Sequence, residues 1–201
     1  DAAGLLDALG IAQAHVVGIS MGGMIAQLMA AEYPQRVLSL TSIMSSTGNP
    51  APRVAWGKPK ALRAILSRPA DPRDLQSVIS RLEHVYSVIG SPDGGRDRAE
   101  FRAHLERIAR RGMDTAASRR QLFAVLASGD RRPLLARITA PTLVLHGRLD
   151  PLMPLAAGVD TARCIKGARL VVIEGMGHDL PPALLPRLAD EIAAHAGLPG
   201  A

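Results

Sequence analysis

Cysteine occurs once, at Cys164, so the chain can close no internal disulfide and can build no thiolate zinc cluster. A lone thiol fits a reducing compartment, and the expected location is cytoplasmic. Aromatic residues are almost as scarce. One Trp, two Tyr and two Phe leave little to stack on nucleic-acid bases. No apolar run approaches the roughly 18 residues that would cross a bilayer, so no membrane partner is expected. The first residues contain no initiator Met, no charged leader and no cleavage pattern, and the opening is expected to lie inside a longer protein.

An excess of positive charge is present, and its distribution matters. The net charge is +6 and the sequence pI about 10.4, which invites a nucleic-acid reading. Between Ser46 and Arg137 there are 16 Arg and 2 Lys against 9 acidic residues, a balance of 18 − 9 = +9, so the remainder carries 6 − 9 = −3. Those arginines alternate with acids and apolar residues at helical spacing, as in "DRAEFRAHLERIARRG" (97–112). They read as solvated helix faces, and no nucleic-acid partner is expected. The 47% hydrophobic content is enough for one globular domain with a sizeable core.

Four short, continuous apolar runs read as buried strands: 15–19, 37–43, 142–147 and 169–174. Helical patterns flank them at about 22–32, 154–164 and 182–196, and the opening residues look like the last turns of a helix ended by Gly10. Strands alternating with helices predict an α/β fold with a parallel sheet. Between the second and third strands comes the Gly/Pro-rich loop "SSTGNPAPRVAWGKPK". Helical patterns follow at about 58–67, 72–89, 95–111, 115–127 and 131–136. An insertion of that size should form a helical lid over one end of the sheet. The expected organisation is core at 1–46, lid at 47–137 and core again at 138–201.

The chemistry concentrates in "HVVGISMGGMIAQLMA" (15–30), a strand running through Gly-x-Ser-x-Gly into a helix. A tight turn there holds the Ser20 hydroxyl above the sheet edge in a strained conformation, with Gly18 and Gly22 at the places where side chains would collide. The Met21 N–H, at the helix start, is the candidate oxyanion donor. A serine needs a base to take its proton. His178, in "VVIEGMGHDLPP", follows the last strand and so lies at the same C-terminal edge as Ser20. His146 ends a strand and is the runner-up, His15 belongs to the opposite edge, and His84, His104 and His195 sit in helical patterns. Asp150, in "LVLHGRLDPLMP", is the candidate orienting acid, its alternative being a turn residue before Pro151. Asp179 adjoins the base and is expected to cap the last helix. Met24, Ser45, Met153 and Leu180 are expected near the substrate pocket, with core packing as the alternative for each.

The order Ser20, Asp150, His178 is that of α/β-hydrolase triads. On these residues the chain resembles the α/β-hydrolase superfamily over nearly its whole length. "HVVGISMGGMIAQLMAAEYPQRVLSL" is similar to the nucleophile elbow and the elements after it, and "APTLVLHGRLDPLMP" and "GARLVVIEGMGHDLPP" are similar to the acid and histidine segments. "SSTGNP", "VYSVIGSP" and the segment 119–147 resemble bacterial esterases akin to aclacinomycin methylesterases, which remove a methyl ester from a polyketide glycoside. The resemblance implies hydrolysis of a small-molecule carboxylic ester without metal or organic cofactor. It also admits enol-lactone hydrolases, C–C bond hydrolases and perhydrolases. In that family four strands precede the elbow, and a His-Gly loop among them gives a second oxyanion donor. Losing such a donor costs about 10²–10³ in kcat. The N-terminal part of the fold is therefore expected to be required, and strand 15–19 to be left as an apolar edge. The alternative is a catalytically inactive fragment that binds a partner or is vestigial.

Overall fold

The computed structural model describes residues 1–55, 57–92, 95–112 and 115–198, with the backbone alone at 115, 116, 118 and 119. In chain order, helix α1 (Ala2–Ala8) leads to strand β1 (Ala14–Ile19), helix α2 (Met21–Glu32) and strand β2 (Val37–Ile43). Then follow α3 (Pro52–Ala55), α4 (Pro59–Ile65), α5 (Leu75–Ile89), α6 (Arg98–Arg110), α7 (Thr115–Ser128) and α8 (Arg132–Leu135). Strand β3 (Thr142–Gly147), helix α9 (Leu155–Cys164), strand β4 (Arg169–Ile173) and helix α10 (Leu185–His195) complete the chain.

The strands form one parallel sheet in the order β1-β2-β3-β4. Because side chains alternate along a strand, each strand feeds two cores. On one face Leu40 packs with Ala26 and Ala30 of α2, with Leu135 of α8 and with Ile165. On the other, Ile43, Leu143, Leu145 and Ile173 pack against Leu188 of α10. Burial on both faces explains why β2 and β3 lack a polar alternation. At the end of the order β1 differs, because it pairs with β2 alone and leaves Val17 46% and Ile19 42% exposed.

Three boundaries depart from expectation. The glycine- and proline-rich stretch after β2 contains a single helical turn, α3. The fourth strand stops at Ile173 rather than 174. The last helix begins at Leu185, because Pro182–Leu184 form a 3₁₀ turn before it. Among the described residues the segment between β2 and β3 contains helices but no strand. It has one apolar cluster of its own and shares a second with the loop after β3. Val78, Ile79 and Leu82 of α5 meet Leu105 of α6, while Ala61 of α4 and Val85 and Ile89 of α5 close around Leu152. Asp74 and Asp97 cap α5 and α6, each accepting backbone N–H bonds from the first turn.

Candidate active site

Ser20 stands in the turn between β1 and α2 with φ 53° and ψ −118°, a conformation that an L-residue adopts only under constraint. The constraint is local: the Ser20 N–H donates to Ile43 O at 2.9 Å, and the Ser20 carbonyl accepts from Gly23 and Met24 N–H at 3.0 and 3.2 Å. Gly18 is obligatory, because a Cβ there would run into the Gly22 carbonyl. The expected requirement at Gly22 is not found, since a Cβ at Gly22 meets nothing within 4 Å. The crowded partner is Gly23, where a Cβ would come within 2.6 Å of Ser45 Cβ. Gly22 thus supplies the backbone that Gly18 must clear, and Gly23 lets the helix sit against β2.

Three strand ends bring three side chains into one line. His178, on the loop after β4, lies with Nε2 3.0 Å from Ser20 Oγ. Its Nδ1 donates to Asp150 Oδ2, on the loop after β3, at 2.7 Å. With Nδ1 engaged by that carboxylate, Nε2 is the ring nitrogen turned to the serine hydroxyl. The second carboxylate oxygen, Oδ1, accepts from Leu152 and Met153 N–H, both at 2.8 Å. Asp150 and His178 are 6% and 9% exposed, so their hydrogen bond works largely out of water. Met21 is the first residue of α2, and its N–H has no acceptor one turn back within the helix.

His146 takes another role. It is fully buried on β3 with its ring against Gly158 of α9, and its Nε2 donates to Met153 O at 2.9 Å. Burial holds its pKa below the ordinary histidine range, so it stays neutral and ties down the loop that carries Asp150. Asp179 does not cap α10, which begins six residues further on. It accepts from Ser91 N and Ser91 Oγ at 2.9 and 2.6 Å and pairs with Arg96. His15 and Ser39 share a hydrogen bond of 2.9 Å at the start of β1, away from the site.

A cavity of about 720 Å³ opens above Ser20 and His178. Its floor is Ile19 and Met44, and its walls are α5 (Leu82, Val85, Ile89), α6 (Phe101, His104) and the loop through Leu180. Of the expected pocket neighbours Leu180 lines this space. Met24 and Ser45 are buried at 5% and 2% behind the elbow, and Met153 turns its carbonyl to His146. Sequence reasoning did not single out Met44, Arg81, Arg96 or Phe101, which line the cavity, and left His104 as a helix residue. Met44 had a findable signal, since it directly follows β2 at the edge that holds Ser20. The others depend on how the inserted helices dock. Among the described residues no three His, Cys, Asp or Glu side chains gather as metal ligands, and no helix is long and apolar enough to cross a membrane.

A parallel sheet with a serine elbow, and an acid and a histidine on the strand ends that follow, defines the hydrolase class of α/β proteins. The chain belongs to the alpha/beta hydrolase fold family, whose profile matches residues 1–181. It is an α/β-hydrolase enzyme. Rhodomycin D methylesterase DauP of Streptomyces sp. (strain C5) is 29% identical over 97% of this chain and 70% of its own length. The 2-hydroxymuconate semialdehyde hydrolase of Pseudomonas putida is 32% identical over 88% of this chain and 60% of its own length. Among solved structures, the meta-cleavage product hydrolase CumD of Pseudomonas fluorescens IP01 superposes with a TM-score of 0.73 at 20% identity, over 97% of this chain and 68% of its own. A hydrolase from Pseudomonas aeruginosa PA01 gives a TM-score of 0.67 at 28% identity, over 98% and 69%.

Proposed function

We propose that the chain cleaves a carboxylic ester through an acyl-enzyme, with Ser20 as nucleophile, His178 as base and acid, and Asp150 as the orienting carboxylate. The observation that carries this is the unbroken hydrogen-bonded line from Ser20 Oγ through His178 to Asp150. Ser20 Oγ attacks the ester carbonyl while its proton passes to Nε2. The Met21 N–H faces the oxyanion, and Asp150 stabilises the imidazolium. Nε2 then gives the proton to the leaving alcohol, and a water attacks the acyl group, returning a proton to Ser20 by the same nitrogen. The products are an acid and an alcohol.

The inserted helices act as a lid that walls the cavity. A space of about 720 Å³ with an apolar floor, and with Arg81, Arg96 and His104 among apolar residues in its walls, suits a bulky acyl portion that also bears polar groups, and the methylesterase relatives support a methyl ester as the reacting group. The exposed edge of β1 supports an N-terminal portion of the hydrolase fold pairing beside it. The C–C hydrolase relatives favour a second reading, in which the same triad cleaves a carbon–carbon bond beside a ketone. Parallel assays with p-nitrophenyl acetate, an aryl-polyketide methyl ester and a 2-hydroxy-6-oxo-dienoate separate the two. Ester turnover that is lost in Ser20→Ala supports esterase chemistry, and exclusive turnover of the dienoate overturns it.

A further inference from the structure

The histidine loop is held by the inserted helices at the residues on either side of the base. The His178 N–H donates to Ile89 O, the last residue of α5, at 2.7 Å. The Gly177 N–H donates to Ser91 Oγ at 2.8 Å. That hydroxyl in turn donates to Asp179 Oδ1 at 2.6 Å, and the same oxygen accepts the Ser91 N–H at 2.9 Å. The far carboxylate oxygen pairs with Arg96, whose guanidinium lies 4.9 Å over the Phe101 ring of α6. Ser91 and Asp179 are 6% and 7% exposed, so water offers neither of them a ready substitute partner.

The fit is as tight as the bonding. A Cβ on Gly177 would come within 2.6 Å of the Gly90 carbonyl carbon and 2.7 Å of Ile89 O, so helix end and histidine loop meet backbone to backbone. Every amide from 177 to 178 is thereby spoken for by residues 89 and 91. Nothing in the reaction chemistry uses Ser91 or Asp179. Their hydroxyl and carboxylate form a relay in which the Ser91 hydroxyl donates and accepts at once, which Ala cannot do. Asp179 only accepts, from Ser91 and from Arg96, so Asn would turn an NH2 group on the guanidinium and remove the charge that holds it.

On the reading of Ser20, His178 and Asp150 as a triad, we infer that Ser91 and Asp179 are positioning residues for the base. The lid therefore sets the alignment of His178 as well as the shape of the cavity. The imidazole must stay in line with two partners at once, and a displacement near 1 Å can cost about 10²-fold in rate. Loss of the Ser91 hydroxyl is expected to act on kcat, because Ser91 lies behind the cavity wall, whereas Asp179 and Arg96 also line the cavity.

The test uses Ser91→Ala, Asp179→Asn and Ser91→Thr in the full chain. Esterase kinetics are measured against pH, with circular dichroism and thermal melting alongside. Expected is a fall in kcat of roughly 10- to 100-fold for Ser91→Ala and Asp179→Asn, with an altered acid limb of the pH profile and, in Ser91→Ala, KM little changed. Ser91→Thr, which keeps a hydroxyl, recovers most of the rate. A second readout needs no turnover: the low-field Nδ1 proton resonance of His178, assigned by its loss in His178→Gln, is expected to shift or broaden in Ser91→Ala. An unchanged resonance, or an unchanged kcat and pH profile, overturns the inference. A wild-type chain without esterase activity that still shows the resonance, and loses it in Ser91→Ala, would sink the proposed reaction while leaving the positioning role standing.

Discussion

The sheet edge and the helical insert above it contribute to one site by different means. The edge carries Ser20, Asp150 and His178, the proposed reacting groups, each on a short loop within five residues of a strand end. Those loops are fixed by backbone constraints such as the positive φ of Ser20 and the two amides on Asp150. None of the three proposed reacting groups lies in the insert. It contributes cavity walls and long-range clamps: Lys58 N–H bonds Pro151 O at 2.7 Å, Leu152 is sunk among Ala61, Val85 and Ile89, and Ile89 O holds the His178 amide. On the proposed reading, chemistry and alignment belong to segments that lie far apart in sequence and should break in different ways.

Substitutions in the edge should have the largest effects. Asp150→Asn keeps the shape but removes the charge that orients the imidazole, and ester hydrolysis should fall by about 10⁴-fold. A loss below about 10-fold would count against Asp150 as the orienting acid. Gly18→Ala forces the elbow off the Gly22 carbonyl, and kcat should drop by about 10²-fold with a measurable fall in melting temperature. Retained activity would show that the turn can relax.

A lesion where the insert meets the edge should first lower stability. Leu152→Ala empties the place among Ala61, Val85 and Ile89 and should destabilise by about 2–5 kcal/mol in urea unfolding, with kcat reduced as the acid loop loosens. His146 gives a smaller, pH-dependent effect. Its folded pKa lies below the unfolded value, so the unfolded chain binds the extra proton first. The stability that it confers is present above about pH 6.5 and is lost as pH falls through the lower folded value. Urea midpoints measured from pH 8 to pH 5 should therefore fall less steeply in His146→Asn than in the wild type. The smallest effect is expected at the insert surface, where Arg102 pairs with Glu83 at 2.7 Å while 44% exposed, and Arg102→Ala should change stability by less than about 1 kcal/mol.

The same division governs what could be read in advance. Strands β2 and β3 were legible because burial on both faces makes continuous apolar runs, and β1 because its edge keeps apolar residues that stand exposed. Ser20, Asp150 and His178 were legible as candidates because parallel strands present their C-terminal ends together, so position along the chain translates into position in space. Gly18 was legible for the right reason and Gly22 for the wrong one, since the motif does not say which glycine faces the other's carbonyl. Met24 and Ser45 were chosen by nearness in sequence, and the helix and strand turn them into the core. Phe101 and Ser91 could not be found this way. Phe101 meets Tyr86 edge-on at 5.4 Å and Ser91 meets Gly177 across 86 residues, and no local pattern encodes how the inserted helices dock.

The central claim is that Ser20 is a nucleophile activated by His178. Its most direct test is treatment of the folded chain with a fluorophosphonate probe, followed by mass spectrometric location of the adduct, with heat-denatured, Ser20→Ala and His178→Ala samples beside it. The account predicts a single adduct on Ser20 that forms only in folded protein and is lost in both variants. No adduct in a chain that circular dichroism shows to be folded, or an adduct that survives His178→Ala at the wild-type rate, would contradict it.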